Sequence, residues 1–212
     1  MTLRYLLAAT ALVAFPAAAT PALLGHYSVA EGPDVAGELV LTADGRFAYY
    51  FGAGALDEQA RGRWEERGEQ LCLTTEPTPV APTFALGPRG GSGAESPTLL
   101  VTWPNGRGIA GVTFRLGFAA GEAAEDYTQD YGWTLPEDEI RKPIWLELVE
   151  PIHGVVSPRF MLGEGERGTI VAVLTPNDIG IVDFRDACLE RRGKGFVLHR
   201  TGGEMRLVKA KR

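Results

Sequence analysis

Cysteine, histidine and positive charge are scarce in this chain of 212 residues. It contains two cysteines and three histidines, and its 27 acidic residues outnumber its 21 basic ones, which gives a formal net charge of −6. A nucleic-acid binder needs a basic surface that displaces counterions from phosphates. The charge balance therefore excludes nucleic acid as an expected partner and disfavours anionic partners in general.

Long apolar runs are also lacking, apart from one near the N-terminus. Arg4 precedes an apolar run over residues 6–15, and Ala17 and Ala19 then stand at the −3 and −1 positions of an Ala-x-Ala cleavage site. This arrangement predicts a secretory signal peptide over residues 1–19; the alternative is a buried N-terminal helix. Because the run is too short to span a bilayer, we expect a soluble periplasmic or secreted protein without a transmembrane anchor.

Glycine and proline, by contrast, are abundant. The 27 glycines and 14 prolines favour many short elements joined by turns over long helices. With 45% hydrophobic and 23% charged residues, the chain can fill one or two compact cores and stay soluble. The composition therefore predicts an all-β fold.

The first part of the mature chain has the pattern of an antiparallel meander. Apolar and polar residues alternate over residues 37–41, and a turn at residues 42–46 leads into the aromatic-rich run 47–51. A second hairpin is predicted at Arg67-Gly68. We assign residues 20–87 to the N-terminal part of a β-barrel.

Proline- and glycine-rich stretches break this pattern, and we assign residues 88–97 to a linker. The turn Pro104-Asn105-Gly106 lies between two alternating runs and gives the strongest hairpin signal in the chain. Residues 98–174 are assigned to a second β module. Three short β runs, the first over residues 179–184, follow in residues 175–212, which we assign to the closing strands of the barrel.

The start of the mature chain resembles the lipocalin-like, or calycin, barrels. Those barrels carry Gly-x-Trp on the first strand, where this chain has Gly25-His26-Tyr27, with Tyr in place of Trp. The resemblance implies an antiparallel barrel in which a basic residue near the last strand packs across the first-strand aromatic ring. Arg206 stands at the matching position.

The second module resembles carboxypeptidase-regulatory-like and transthyretin-like β-sandwiches over residues 98–136. The resemblance is carried by residues 101–112 and 127–133, and it implies an accessory or binding module without catalytic residues. Together the two resemblances predict an antiparallel lipocalin-like barrel with a β-sandwich module inserted into it or adjacent to it. Two sequential β domains are the alternative to insertion.

Cys72 and Cys188 are the two cysteines, and both belong to the predicted mature chain. Export places such a pair in an oxidising compartment, where a disulfide commonly forms. The alternative is that both thiols are buried as small hydrophobic side chains. A bond between them would join the two parts of the predicted barrel.

Sequence motifs associated with catalysis occur in the wrong context. Residues 106–111 spell Gly-x-Gly-x-x-Gly, but no helix follows, so the motif predicts a turn and not a dinucleotide site. Ser92 lies in a glycine-rich stretch without the strand and helix of a nucleophile elbow. Asp57 and Glu58 are neighbours on a predicted strand and should face opposite ways. We therefore predict no catalytic residue and no cofactor.

The sequence also predicts no metal site. His26, His153 and His199 are far apart, and none belongs to a His-x-x-x-His pair. The acidic run at residues 137–139 lacks the ligand spacing and the central glycine of a calcium loop. We expect it to be a solvated loop.

Aromatic residues on the predicted barrel strands are the candidates for a binding site. Alternate residues of a barrel strand face the interior, where aromatic side chains can hold an apolar ligand or simply fill a small barrel. In the second module, Tyr127, Tyr131 and Trp133 suit either a platform for sugar or peptide or half-buried strand packing. The candidate ligand-binding residues are Tyr27, Phe47, Tyr49, Phe51 and Trp64.

These features predict an exported, soluble, non-enzymatic β protein that acts as a ligand- or protein-binding module of the cell envelope. The expected partner is a small apolar ligand or an envelope protein, and the oligomeric state stays open. Two alternatives belong to other classes. One is a periplasmic hydrolase whose catalytic residues meet only in the folded chain, and the other is a purely structural assembly protein.

Overall fold

The computed structural model describes residues 21–30, 32–91, 97–163, 168–200 and 203–210. The predicted signal peptide over residues 1–19 and Ser92 of the predicted linker lie outside these ranges. Within them, helical structure is confined to the short 3-10 turn Pro21–Leu23. No helix in the described ranges has the length and apolarity needed to cross a membrane.

Sixteen β-strands form the remaining regular structure in these ranges, which confirms the all-β prediction. Many of the turns between them contain a glycine at positive φ, a backbone conformation that glycine adopts without steric cost. In chain order the strands are β1 (Gly25–Val29), β2 (Val35–Leu41), β3 (Arg46–Ala53), β4 (Leu56–Arg67), β5 (Gln70–Thr75), β6 (Thr83–Leu86), β7 (Leu99–Thr102), β8 (Thr113–Phe118), β9 (Ala124–Tyr127), β10 (Pro143–Glu150), β11 (Val155–Val156), β12 (Phe160–Met161), β13 (Ile170–Thr175), β14 (Ala187–Arg192), β15 (Gly195–Arg200) and β16 (Gly203–Lys209).

Eight of these strands close into an antiparallel barrel, in the order β1-β16-β15-β14-β5-β4-β3-β2. The predicted antiparallel barrel is therefore confirmed, and its strand number and closure are compatible with a lipocalin-like barrel. The first five strands and the last three come from opposite ends of the chain. Two pairs join these groups, β1 with β16 and β5 with β14.

Sequence alternation decides which side chains fill the barrel. On β3, Phe47, Tyr49 and Phe51 are buried, whereas Ala48 and Tyr50 between them are exposed. Since successive strand residues point to opposite faces, the three aromatic residues face the interior. Inward-facing residues from all eight barrel strands form one continuous hydrophobic core.

The strands between β5 and β14 make two further sheets with a separate core. One sheet has the order β11-β10-β8-β9 with β12 also paired to β10, and the other has the order β6-β13-β7. Leu99 and Ala172 from the second sheet and Leu116 and Leu146 from the first are fully buried in this shared core. The two sheets thus pack face to face.

Three details differ from the sequence-based expectation. The turn at Pro104-Asn105-Gly106 forms, but β7 and β8 on either side of it lie in different sheets. The two sides of the turn form a single bridge, between Thr102 and Gly108, and the chain then crosses to the other sheet. β6 falls within the range assigned to the barrel but pairs with β13. Residues 179–184 form no regular strand and bridge to β4 only at Ile181.

β4 is the longest strand, and at Gly62 the chain segment on one side of it changes, whereas β3 stays paired on the other side. Before Gly62, the Gln59 backbone bonds to Gly180 and Val182; from Gly62 onward, β4 pairs with β5. A Cβ at Gly62 would overlap the Thr74 carbonyl oxygen and would lie 2.9 Å from Phe47. Only glycine permits this close approach of the two strands.

A disulfide joins Cys72 of β5 to Cys188 of β14, residues that are directly paired in the sheet. The bond links β5, the last strand of the N-terminal group of barrel strands, to β14, the first strand of the C-terminal group. On either side of it, Leu71 and Leu73 of β5 and Leu189 of β14 point into the core and are fully buried. The covalent bond therefore fixes the same register that the hydrophobic side chains require.

We expect the double substitution Cys72→Ala/Cys188→Ala to lower the free energy of unfolding by about 4 kcal/mol, because the bond closes a long loop in the unfolded chain. The two cysteines are separated by 116 residues. Urea unfolding followed by tryptophan fluorescence measures the change. Reduced wild-type protein is the control and should unfold at the same urea concentration as the variant. Equal stability of the variant and the oxidised wild type would contradict this role.

Candidate functional site

The five aromatic residues predicted to bind a ligand lie together inside the barrel. All five are exposed by 7% or less and belong to the barrel core. Their neighbours there include Leu39, Leu71 and Leu207. Tyr27, Phe47, Phe51 and Trp64 thus fill the barrel around one another, and their binding role stays a prediction.

Tyr27 packs one end of the barrel, and burial raises the pKa of its phenol. Its hydroxyl donates to the Leu23 carbonyl oxygen at 2.7 Å, and its ring centroid lies 5.1 Å from that of Phe196. The cation over the ring is Lys209, with Nζ 5.6 Å from the centroid, whereas Arg206 is exposed. The expectation for Arg206 was wrong because Lys209, not Arg206, is the register partner of Tyr27 across β1 and β16.

Phe184 packs into the opposite end of the barrel from the segment that precedes β14. Its ring centroid lies 5.2 Å from that of Tyr49 and 5.9 Å from that of Phe47. Its backbone N–H donates to the Thr75 Oγ1, and its carbonyl oxygen accepts from the Thr75 N–H at 2.8 Å. The chain that returns to the barrel therefore also fills this end of it.

An ion pair between Glu58 and Arg200 lies near the same end. Arg200 Nη2 donates to Glu58 Oε2 at 2.7 Å, although two other strands separate β4 from β15 in the barrel. Tyr49 donates to the same carboxylate oxygen at 3.4 Å, and the guanidinium carbon of Arg200 lies 5.1 Å from the Phe51 ring centroid. The two charges are partly buried, with side-chain exposures of 14% for Glu58 and 29% for Arg200.

A cavity of about 450 Å³ opens on the side of the barrel, where β4 separates from β5. We call it the lateral groove. Its apolar wall is formed by Ala48, Tyr49, Ala60, Pro77, Pro79 and Ile181. Its polar rim is formed by Gln59, Arg61, Thr75, Glu76 and Asp178. Of the five predicted ligand-binding residues, Tyr49 is the one among these lining residues.

The two carboxylates at the rim of the lateral groove, Glu76 and Asp178, both have hydrogen-bond partners. Arg46 Nη1 donates to Glu76 Oε2 at 2.9 Å, and Arg63 Nε donates to Glu76 Oε1 at 2.7 Å. Asp178 Oδ2 accepts from the Val80 N–H at 2.8 Å. Both oxygens of the Glu76 carboxylate are thus already held by arginines.

Sequence reasoning missed most of this site. The inward position of Glu58 was detectable, because it stands in phase with Ala60, Gly62 and Trp64 on the buried face of β4. An acidic residue on such a face signals an interior ion pair, since a buried charge needs a partner. The prolines and Ile181 gave no such signal, because they reach the lateral groove from loops far away in sequence.

The adjacent carboxylates do face opposite sides of β4, as strand alternation predicts. Asp57 Oδ1 accepts from the Tyr50 hydroxyl at 3.1 Å on the exposed side, whereas Glu58 points inward to Arg200. They therefore do not form a pair across one cleft. The glycine motif at residues 106–111 forms a turn between strands, with Gly106 and Gly111 at positive φ.

The three histidines lie beside different carboxylates. His26 Nδ1 lies 2.6 Å from Glu38, and His153 Nδ1 lies 3.3 Å from Glu150. His199 lies 3.5 Å from Glu190. In the described part of the chain, no group of three or more His, Cys, Asp or Glu side chains is arranged to hold a metal ion.

Residues singled out in the second module serve its packing or face solvent. Glu139 in the acidic run is held by Arg141, whose hydrogen bonds lower the pKa of the carboxyl to about 2. Trp133 packs edge-on against Phe114 in the core. Tyr127 and Tyr131 are both exposed, and Tyr131 is 75% accessible. A platform for sugar or peptide at these residues stays a prediction.

The fold defines an all-β protein built on a closed, eight-stranded antiparallel barrel. Comparison with known proteins gave no matching family model, no matching curated protein and no matching solved structure. The lateral groove and the Glu58–Arg200 ion pair are the features of the barrel that bear on function.

We expect Glu58→Gln to lower the free energy of unfolding by about 2 kcal/mol, because it leaves the Arg200 charge partly buried without its partner. The double substitution Glu58→Gln/Arg200→Met should recover most of that loss. Urea unfolding of the two single variants and the double variant forms a cycle that isolates the pair.

The exposed pair between Arg115 and Glu125 provides the matched control. Its side chains are more than half exposed, so Glu125→Gln should change the free energy of unfolding much less than Glu58→Gln does. Additive losses in the Glu58 and Arg200 cycle would show that these two charges do not stabilise each other.

Proposed function

We propose that this is an exported, non-enzymatic binding protein of the cell envelope, and that it holds a small ligand in the lateral groove. The observation that carries the proposal is the groove itself. Its volume of about 450 Å³ lies in the range of small-molecule sites, which are mostly apolar with a few polar groups that orient the ligand. The wall and rim of the lateral groove have this composition.

The lateral groove suits a ligand better than the barrel axis does. Tyr27 and Phe184 belong to the core that fills the barrel, so a ligand on the axis would have to displace side chains from a close-packed interior. A ligand in the lateral groove would displace none of them. It would still contact the barrel interior through Tyr49 and Ala60, both of which line the groove.

Export is the second part of the proposal and rests on the predicted signal peptide over residues 1–19. The disulfide between Cys72 and Cys188 supports it, because disulfides persist in the periplasm and outside the cell and are rare in the cytosol. The compartment in turn constrains the ligand, which must be available in the periplasm or outside the cell.

A purely structural assembly protein is the second candidate, and the filled barrel interior is the observation that favours it. A barrel filled with side chains is compatible with a structural scaffold and with a protein that binds its ligand outside the barrel interior. The two functions differ in whether the isolated protein carries a small molecule.

We expect Ala48→Trp to abolish ligand binding, because residue 48 faces outward on β3 and lines the lateral groove. An indole there would fill the groove without entering the barrel core. Native mass spectrometry of protein recovered from the exported fraction should show a mass excess for the wild type that disappears on denaturation, and no excess for the variant.

Ala36→Trp is the matched control, since Ala36 is an exposed residue of β2 outside the lateral groove. This variant should keep the mass excess of the wild type. Retention of the ligand by Ala48→Trp would place the binding site elsewhere. A wild-type protein without any mass excess would favour the structural assembly protein.

A further inference from the structure

We infer that the ligand of the lateral groove is an organic monoanion, an apolar body that carries one carboxylate, and that Arg61 binds the carboxylate. This inference rests on the proposed function, because it specifies the chemistry of the same site. It depends on three observations: the arrangement of the arginines, the partners of the nearby carboxylates, and the apolar wall.

Three arginines lie side by side on the outward faces of β3 and β4, and one of them, Arg61, lines the lateral groove. Arg46 is the register partner of Arg63, and Arg61 is the partner of Ala48 two residues along. Like charges at such short spacing repel one another unless anions lie between them. Glu76 lies between two of them and accepts a hydrogen bond from each of Arg46 and Arg63.

Arg61 differs from its two neighbours. It lines the lateral groove, and its side chain makes no hydrogen bond or ion pair with any residue in the described ranges. The other carboxylate at the rim, Asp178, accepts from the Val80 N–H. Glu76 is held by Arg46 and Arg63, which lie outside the groove lining, so Arg61 is the one guanidinium group of the lining residues and has no carboxylate partner among the described residues.

The uncompensated charge matches a monoanion. A guanidinium group presents a planar fork of donors that fits the two oxygens of a carboxylate. A phosphate monoester carries roughly −1.5 to −2 charges at pH 7 and would exceed the one positive charge available. A carboxylate is therefore the anion that this rim balances.

The apolar wall specifies the rest of the ligand. Ala60, Pro77 and Ile181 line the lateral groove beside the charged rim, and they offer surface to an apolar body while the carboxylate stays at Arg61. The Gln59 side chain also lies at the rim and supplies an amide for one further polar group. The site therefore fits an amphipathic carboxylic acid.

The test uses three probes that share one apolar body: 2-naphthoate, the uncharged 2-naphthamide and 2-naphthyl phosphate. Calorimetric titration of the full mature protein at low salt measures the affinity for each. We expect naphthoate to bind roughly ten- to a hundredfold more tightly than naphthamide, the range for a hydrogen-bonded charge. Naphthyl phosphate should bind more weakly than naphthoate.

Arg61→Gln should remove the preference for naphthoate and leave the affinity for naphthamide unchanged. Arg61→Lys keeps the charge but loses the planar fork, so it should retain part of the preference. Arg206→Gln is the matched control, because Arg206 is an exposed arginine on β16, outside the lateral groove. This control should bind all three probes as the wild type does.

The outcomes separate the inference from the proposed function. Equal binding of naphthoate and naphthamide to the wild type would overturn the carboxylate and leave the lateral groove as a neutral binding site. Tighter binding of naphthyl phosphate would overturn the choice of a monoanion. If no probe binds but Ala48→Trp still removes a co-purified ligand, the proposed function stands and the carboxylate is wrong. If no probe binds and the wild type carries no ligand, the proposed function fails as well.

Discussion

The pairing of β5 with β14 closes the barrel, and the other features of the structure depend on it. These strands come from opposite sides of the second module, and their cysteines are 116 residues apart. Closure removes the exposed strand edges that an open sheet would present to other chains. Because a shift of one residue would turn Leu189 outward and Cys188 inward, the buried leucines and the disulfide must specify the same register.

The lateral groove follows from the way this pairing ends. β5 stops at Thr75, while β4 continues back to Leu56, so the first part of β4 pairs with β3 on one side and has no barrel strand on the other. The segment between β13 and β14 covers this part of β4 only around Ile181. A few residues later, the Phe184 side chain packs against Tyr49 inside the barrel. The space left between the two chain segments is the groove. A site at this position brings together residues from the barrel and from both connections to the second module.

The net charge of the whole protein and the local charge at the lateral groove affect different kinds of partner. The net charge of −6 bears on large polyanions, which meet an extended surface. A small ligand meets only the groups within a few ångströms, since exposed charges are screened over a distance of about 8–10 Å in physiological salt. Those groups include Arg61, which lines the groove, and Arg46 and Arg63, which hold the Glu76 carboxylate. The net negative charge disfavours large anionic partners, but it does not disfavour a small organic anion in the lateral groove.

By itself, the sequence determined the all-β class, several turns, and the side of β3 that faces inward, because a strand's period of two is a local property. The same alternation placed the predicted aromatic residues in the core. Only the tertiary structure decided that Lys209 and not Arg206 covers Tyr27, that β7 and β8 separate into different sheets, and that distant loops meet at Arg61. Strand pairing and contacts between loops depend on residues far apart in the chain. Outward-facing residues such as those of the groove rim follow no hydrophobic pattern from which their neighbours could be predicted.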